Sequence, residues 1–178
     1  MTLSDDAKRA FSLQDYTAAP EIDGVQVVEL KRFVDDGGSF TELGRLSGGV
    51  AAAFPGFEVK QVNYSEMDPG VVKAFHVHRQ QTDVWFVPPG DKMLLILLDV
   101  RADSKTRNVL RRLVLGDGQS RLVKIPPGVA HGVRNLAPTR GHIIYLVDRH
   151  FSTDPNQGDE GRLPWDFAGA GVWDVTRG

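Results

Sequence analysis

Short apolar runs separated by turn residues follow one another along most of this 178-residue chain. From Pro20 onward, segments rich in Val, Ile, Leu and Phe alternate with clusters of Gly, Pro and Asp, and almost no segment has helical periodicity. Many short strands at this spacing are typical of a β-sandwich or β-barrel, so the sequence predicts an all-β fold. The predicted strands are 25–33, 57–64, 71–78, 82–87, 93–101, 109–115, 121–125, 129–136 and 142–147.

The first twenty residues differ from the rest and are predicted to form a short N-terminal arm. Ser4 is placed to cap a helix over residues 5–11, with Asp5 and Asp6 in its first turn. Residues 21–178 are predicted to form one domain, because their number suits a single core. The stretch after residue 148 is predicted to be loop-like, with Trp165 and Trp173 anchoring it to the barrel.

Composition excludes several classes of site. The chain has no cysteine, which rules out disulfides, thiolate metal sites and a cysteine nucleophile. A net charge of -2 gives no basic surface for nucleic acid. The N-terminus does not resemble a secretory signal, and no apolar segment is long enough to cross a bilayer, so a cytoplasmic protein is expected.

Two motifs, at residues 70–90 and 126–135, carry the candidate chemistry. His76 and His78 lie two apart in a predicted strand and would project to the same face. Asp83 begins the next strand, and His131 follows a Pro-Pro-Gly turn onto another. Two or three imidazoles with a carboxylate suit Fe, Mn, Ni, Cu or Zn. A single buried histidine, however, is more often a hydrogen-bonded core residue.

The spacing of these motifs resembles that of the cupin superfamily, with Asp83 in place of a glutamate. Gly70, His76, His78, Asp83 and Gly90 fall at the offsets of the first cupin motif, and Pro126, Gly128, His131 and Asn135 at those of the second. This resemblance implies a cupin-type double-stranded β-helix, or jelly-roll barrel. It also implies a divalent transition metal held by His76, His78, Asp83 and His131.

Residues 22–173 also resemble the dTDP-4-dehydrorhamnose 3,5-epimerase family, which has a cupin-type jelly roll. The matching stretches are 33–42, 61–65, 70–76, 99–106, 125–133, 142–147 and 163–166. The resemblance implies epimerisation of a keto-sugar without a metal, with His76 as the base and Tyr145 as the acid on the opposite ring face. It also implies a homodimer.

Several positions depart from the epimerase pattern. Lys73 replaces an arginine, His78 a glutamine and Asp83 a lysine, and Gly37-Gly38 stands where an Arg-Gly pair helps to bind nucleotide phosphate. The segment that carries the aspartate partner of the base is not recognisable, so Asp166 and Asp174 are the candidates for that role. Candidate substrate-binding residues are Asn63, Lys73, Gln81, Trp85 and Arg134.

Three functions remain open. The first is an epimerase-like enzyme that transfers a proton next to a carbonyl of a sugar-type small molecule, with metal assistance. The second is a metal-dependent oxygenase or lyase, and the third a binding protein without catalysis. If Tyr145 faces the pocket, His142 is predicted to face away, because the two are an odd number of residues apart. His150 is predicted to lie in a loop beside Arg149.

Overall fold

A computed structural model of the chain describes residues 2–13, 16–154 and 158–175. Regular structure in these ranges is almost entirely β, with one short helix, α1 Asp5–Ala10, and one turn of 3-10 helix at Ala170–Trp173. The strands are β1 Gln26–Glu29, β2 Arg32–Asp35, β3 Gly38–Thr41, β4 Leu46–Ser47, β5 Val50–Ala51, β6 Gln61–Met67, β7 Val72–His78, β8 Asp83–Phe86, β9 Lys92–Asp99, β10 Leu110–Gly116, β11 Arg121–Ile125, β12 Val129–Asn135, β13 Gly141–Val147 and β14 Glu160–Arg162.

Ten of these strands form two five-stranded antiparallel sheets. The first sheet has the order β1-β11-β8-β13-β6 and the second β10-β9-β12-β7-β14. Strands β2 and β3 form a separate hairpin, as do β4 and β5. Because sequential strands are distributed between the two sheets, the chain crosses repeatedly from one to the other. This arrangement confirms the all-β jelly-roll prediction.

The main core lies between the two sheets. Side chains such as Trp85, Val123 and Ile143 of the first sheet pack with Leu95 and Leu97 of the second. Burial of this apolar area is the principal force that holds the sheets together. Beside this core the two sheets enclose a cavity that is lined by both polar and apolar side chains.

The outer face of each sheet has its own cover. Phe54 and Phe57 pack on the first sheet, and the C-terminal segment packs on the second through Trp173, which contacts Phe75. Trp173 is buried, as predicted for an anchor, whereas Trp165 is 52% exposed and does not fill that role by its side chain. Instead the Trp165 carbonyl accepts a hydrogen bond from Trp173 Nε1.

Seven predicted strands from residue 71 to residue 147 match the structure to within two residues at either end. Two others were wrong in extent. The predicted strand 25–33 is divided into β1 and β2, because the chain leaves the sheet after Leu30 to form the hairpin with β3. The predicted strand 57–64 begins only at Gln61, because Phe57 turns into the apolar cover of the first sheet.

The arm is described at residues 2–13 and 16–20; Met1, Gln14 and Asp15 lie outside the described residues. Ser4 Oγ accepts the Ala7 N–H at 3.3 Å, as predicted for the helix cap. The prediction that the arm ends at residue 20 and that residues 21–178 form one domain stays a prediction. No helix in the described ranges has the length and apolar character needed to span a membrane.

Candidate active site

A cavity opens between the two sheets, beside the core. Strands β6, β8, β12 and β13 each contribute alternate residues, as the pleat requires. Its floor and walls come from β6, β7, β8, β12 and β13, and its rim from the segments 148–154 and 158–162. The polar side chains of the wall include Asn63, Lys73, His76, His78, Asp83, Trp85, His131 and Tyr145.

An irregularity in β7 brings Lys73 and His76 to the same cavity although they are three residues apart. His76 pairs with His131 and Lys73 pairs with Val133, so two residues of β7 lie opposite Gly132 alone. An extra residue in one strand of an antiparallel pair is a β-bulge, and it changes which side chains face inward. Strict alternation would have directed Lys73 out of the cavity. Lys73 instead lines the cavity, although it is exposed, and its Nζ donates to the Glu66 carbonyl oxygen at 2.8 Å.

His76 is held by a carboxylate. Its Nδ1 lies 3.0 Å from Oε1 of Glu160, which also accepts a hydrogen bond from Arg162 at 2.8 Å. Since a carboxylate only accepts, Nδ1 carries the proton and Nε2 keeps its lone pair. Burial lowers the pKa of His76 to about 4, with further lowering by His131 and Arg162 and an opposing effect of Glu160. His76 is therefore neutral near pH 7.

The carboxylate partner of His76 was missed by sequence reasoning. Glu160 lies in β14, which pairs with the edge of β7 and places Arg162 opposite His76. The stretch was predicted to be loop-like, and Asp166 and Asp174 were the candidates for this role. Neither aspartate lines the cavity, so both candidates were wrong. Glu160 lies three residues before the matching stretch 163–166, which is the only local signal that could have identified it.

The predicted metal set has four residues, and three of them, His78, Asp83 and His131, lie close together. Ligand atoms of His78, Asp83 and His131 all lie within 4.8 Å of one another, and all three residues are buried. His78 Nε2 is 3.9 Å from one Asp83 oxygen, and His131 Nε2 is 3.5 Å from the other. His76 is not among these clustered ligand atoms, and its Nδ1 is paired with Glu160. The predicted four-residue metal set stays a prediction.

Asp83 is ionised in this environment. Burial tends to raise its pKa, but His131, His78 and the Trp85 indole outweigh burial and lower the pKa to about 2. Trp85 Nε1 donates to Oδ2 at 3.0 Å, and Gln81 Nε2 donates to Oδ1 at 2.8 Å. The carboxylate is thus fixed in orientation by two donors.

Tyr145 enters the cavity from the opposite sheet. It lies on β13, in register with Asn63 on one side and Trp85 on the other. Burial raises the pKa of Tyr145, as do the negative charges of Asp83 and Glu160. Its hydroxyl therefore stays protonated at neutral pH and is available as a proton donor. His142, three residues earlier, faces outward and bonds to Asp91, as predicted.

Four of the five predicted substrate-binding residues line the cavity: Asn63, Lys73, Gln81 and Trp85. Arg134 does not. His131 and Val133 face inward on β12, so Arg134 projects from the other face and donates to the Trp173 carbonyl at 2.6 Å. The prediction for Arg134 was wrong in its location. Arg149 and His150 lie in the rim segment and do face the cavity.

Comparison with known proteins identifies the family of this chain. A family model described as dTDP-4-dehydrorhamnose 3,5-epimerase matches residues 19–167. The chain belongs to this family. It is 42% identical over 145 residues to the spore coat polysaccharide biosynthesis protein SpsL of Bacillus subtilis, covering 82% of this chain and 91% of that protein. The chain is therefore an epimerase related to dTDP-4-dehydrorhamnose 3,5-epimerase.

Solved structures give the same result. The dTDP sugar isomerase from Desulfovibrio desulfuricans superposes with a TM-score of 0.71 at 28% identity, covering 83% of this chain and 88% of that one. The dTDP-4-dehydrorhamnose 3,5-epimerase from Bacillus anthracis, solved with TDP and PPi bound, also superposes with a TM-score of 0.71. Its sequence identity is 26%, and the match covers 90% of this chain and 91% of that one. Nearly the whole length of each is thus matched by this chain.

The bulge generates a prediction for Gly132. A Cβ at this position would lie 2.3 Å from the Ala74 Cβ and 2.9 Å from the Trp173 ring. Gly132→Ala should therefore displace the bulge and lower the free energy of unfolding by about 2 kcal/mol. Urea denaturation measures this loss. Gly90→Ala is the matched control, because a Cβ there meets nothing within 4 Å. Equal stability of the two variants would contradict the prediction.

Proposed function

We propose that this protein epimerises a sugar-type small molecule by proton transfer next to a carbonyl group. His76 removes the proton through Nε2, and Tyr145 supplies a proton from the opposite sheet. The observation that carries the proposal is the His76–Glu160 pair, with Nδ1 at 3.0 Å from the carboxylate, facing a cavity that Tyr145 enters from the other side. Membership of the epimerase family supports the same assignment.

The chemistry needs each of these groups. Removal of a proton beside a ketone requires a base within hydrogen-bond reach, and return of a proton to the other face requires an acid placed opposite it. Glu160 fixes the tautomer of His76 and stabilises the imidazolium that forms when the proton is taken. Lys73 and Asn63, also in the wall, are positioned to bind oxygens of the substrate.

The most suitable first substrate is a dTDP-linked 4-keto-6-deoxy sugar. Two structural relatives carry dTDP-sugar names, and the Bacillus anthracis structure contains TDP and PPi. In this chain the cavity rim holds Arg79, Arg149 and Arg162, which are cations suited to phosphate oxygens. The proposal extends to other keto-sugars of similar size.

Removal of the base tests the proposal directly. In D₂O the wild-type protein should exchange deuterium into the sugar at one or both carbons beside the ketone, as followed by NMR. His76→Ala should reduce this exchange by about a thousandfold, because no other group replaces the base. Glu160→Gln should reduce it by about a hundredfold through loss of tautomer control. Glu29→Gln, another carboxylate bonded to an arginine, should have no effect. Unchanged exchange in His76→Ala would refute the proposal.

Removal of the Tyr145 hydroxyl should stop epimerisation of the sugar without stopping deuterium exchange. In Tyr145→Phe the base still takes the proton and returns deuterium to the same face, so exchange continues while the epimer does not form. NMR of the sugar in D₂O distinguishes the two events. Tyr64→Phe, on the solvent-exposed face of β6, is the control and should epimerise normally. Loss of exchange and inversion together in Tyr145→Phe would contradict the acid role.

A second copy of the chain is proposed to cover the β2–β3 hairpin. Phe33, Val34 and Phe40 are all at least half exposed there, and an isolated two-stranded hairpin is marginally stable. The family resemblance implies a homodimer with sheet exchange near the N-terminus. Light scattering should therefore give the mass of a dimer, and Phe33→Ser combined with Phe40→Ser should give a monomer. A wild-type monomer at about 50 μM would contradict this proposal.

We also propose that a metal ion assists the epimerisation. One observation favours it: the buried group of His78, Asp83 and His131 lies beside His76 in the same cavity, with the His76 and His131 ring centres 6.0 Å apart.

A further inference from the structure

Three lone-pair acceptors meet in a buried part of the cavity wall. They are Nε2 of His78, Nε2 of His131 and the carboxylate of Asp83. The three residues are 7%, 2% and 3% exposed. Lone pairs alone do not stabilise one another, and a buried carboxylate is most stable beside a positive charge. A proton on an imidazole or a metal ion would supply that charge.

The tautomers of both imidazoles follow from their other contacts. His131 Nδ1 lies 3.0 Å from the carbonyl oxygen of Val129, and His78 Nδ1 lies 3.3 Å from that of Asp159. A backbone carbonyl only accepts, so Nδ1 of each ring donates a proton. In the neutral ring Nε2 is then a lone pair. Both lone pairs are on the side of Asp83, at 3.9 Å from Oδ1 for His78 and 3.5 Å from Oδ2 for His131.

Hydrogen bonds from two donors also fix the orientation of Asp83. Trp85 donates to one of its oxygens and Gln81 to the other. Each carboxylate oxygen has a further lone pair available. Gln81 Nε2 also lies 3.4 Å from His78 Nε2, a long contact compared with its 2.8 Å bond to Asp83. Each of the three residues therefore has a partner that fixes its orientation, as is usual around metal ligands.

We infer that His78, Asp83 and His131 bind one divalent transition metal ion. Two imidazole nitrogens and a carboxylate are suited to Zn, Fe, Mn, Ni or Co. Ligand atoms about 2.1 Å from a tetrahedral metal lie roughly 3.4 Å apart, close to the observed 3.5 and 3.9 Å. Three protein ligands leave an open position toward the cavity, as in catalytic sites.

His76 lies outside this ligand set. Its Nδ1 is held by Glu160, and it is absent from the group of ligand atoms within 4.8 Å. The base and the metal site are therefore separate functions of adjacent side chains. A metal at this site would polarise a carbonyl oxygen, a role that rests on the proposed function, whereas metal binding itself does not.

Cobalt binding tests the inference. Protein purified without an affinity tag and treated with EDTA should bind one equivalent of Co²⁺, measured by calorimetry and by the visible absorption of the bound ion. Co²⁺ should also raise the melting temperature. His78→Ala and Asp83→Asn should each weaken binding on the order of a hundredfold or more, with no rise in melting temperature. His76→Ala should bind Co²⁺ as the wild type does.

Two results would overturn the inference. One is a wild-type protein that binds no Co²⁺ and shows no rise in melting temperature, which would mean that a proton on His131 is the cation. The other is equal loss of binding in His76→Ala and His78→Ala, which would restore His76 to the ligand set. Deuterium exchange by EDTA-treated protein is measured separately, so failure of the metal site and failure of the proposed function give different results.

Discussion

The pairing of β7 with a strand on each side is the constraint on which the site depends. On one side β12 sets the bulge that turns Lys73 and His76 to the cavity. On the other side β14 brings Glu160 to His76 and places the Asp159 carbonyl at His78 Nδ1. The Asp159 carboxylate also accepts the backbone N–H groups of residues 79, 80 and 81, which fixes the loop between β7 and β8. One short strand thus orients two histidines and the loop that leads to Asp83.

The proposed role of His76 concerns a conflict that the sequence contains. The same histidine, His76, satisfies both the cupin ligand pattern and the epimerase base pattern, and its lone pair can serve only one of them. The hydrogen bond from Nδ1 to Glu160 supports the proposed base role, because the carboxylate stabilises the protonated ring and opposes the lowering of its pKa by burial. His78 and His131 instead donate Nδ1 to neutral backbone carbonyls. In the proposed roles, rings of the same chemical type differ through the partner of the second nitrogen.

Most strands of the two sheets could be predicted because the residues that define each strand are neighbours in the sequence. β8, β9 and β12 are short strands rich in apolar residues, and each lies next to a Pro-Pro-Gly turn that indicates where it begins or ends. β14 has no such pattern. It is three residues long, its residues are Glu, Gly and Arg, and its partner His76 is 84 positions away, so only tertiary pairing defines it. The bulge in β7 is likewise invisible in the sequence, because it depends on Gly132 of another strand. Arg134 was misplaced for a simpler reason, since the alternation from His131 already directs it outward.

The departures from the epimerase pattern also have a consistent electrostatic meaning. In that pattern a lysine stands at the position taken here by Asp83, and the change replaces one positive charge with one negative charge beside the cavity. Proton removal next to a ketone places negative charge on the carbonyl oxygen, and a nearby positive charge stabilises it. Asp83 alone would oppose that charge. With the inferred divalent ion, Asp83 would give a net charge of +1, equal to that of the lysine. His78, which replaces a glutamine, would supply a further ligand to that ion. The inferred metal site would therefore account for both substitutions together.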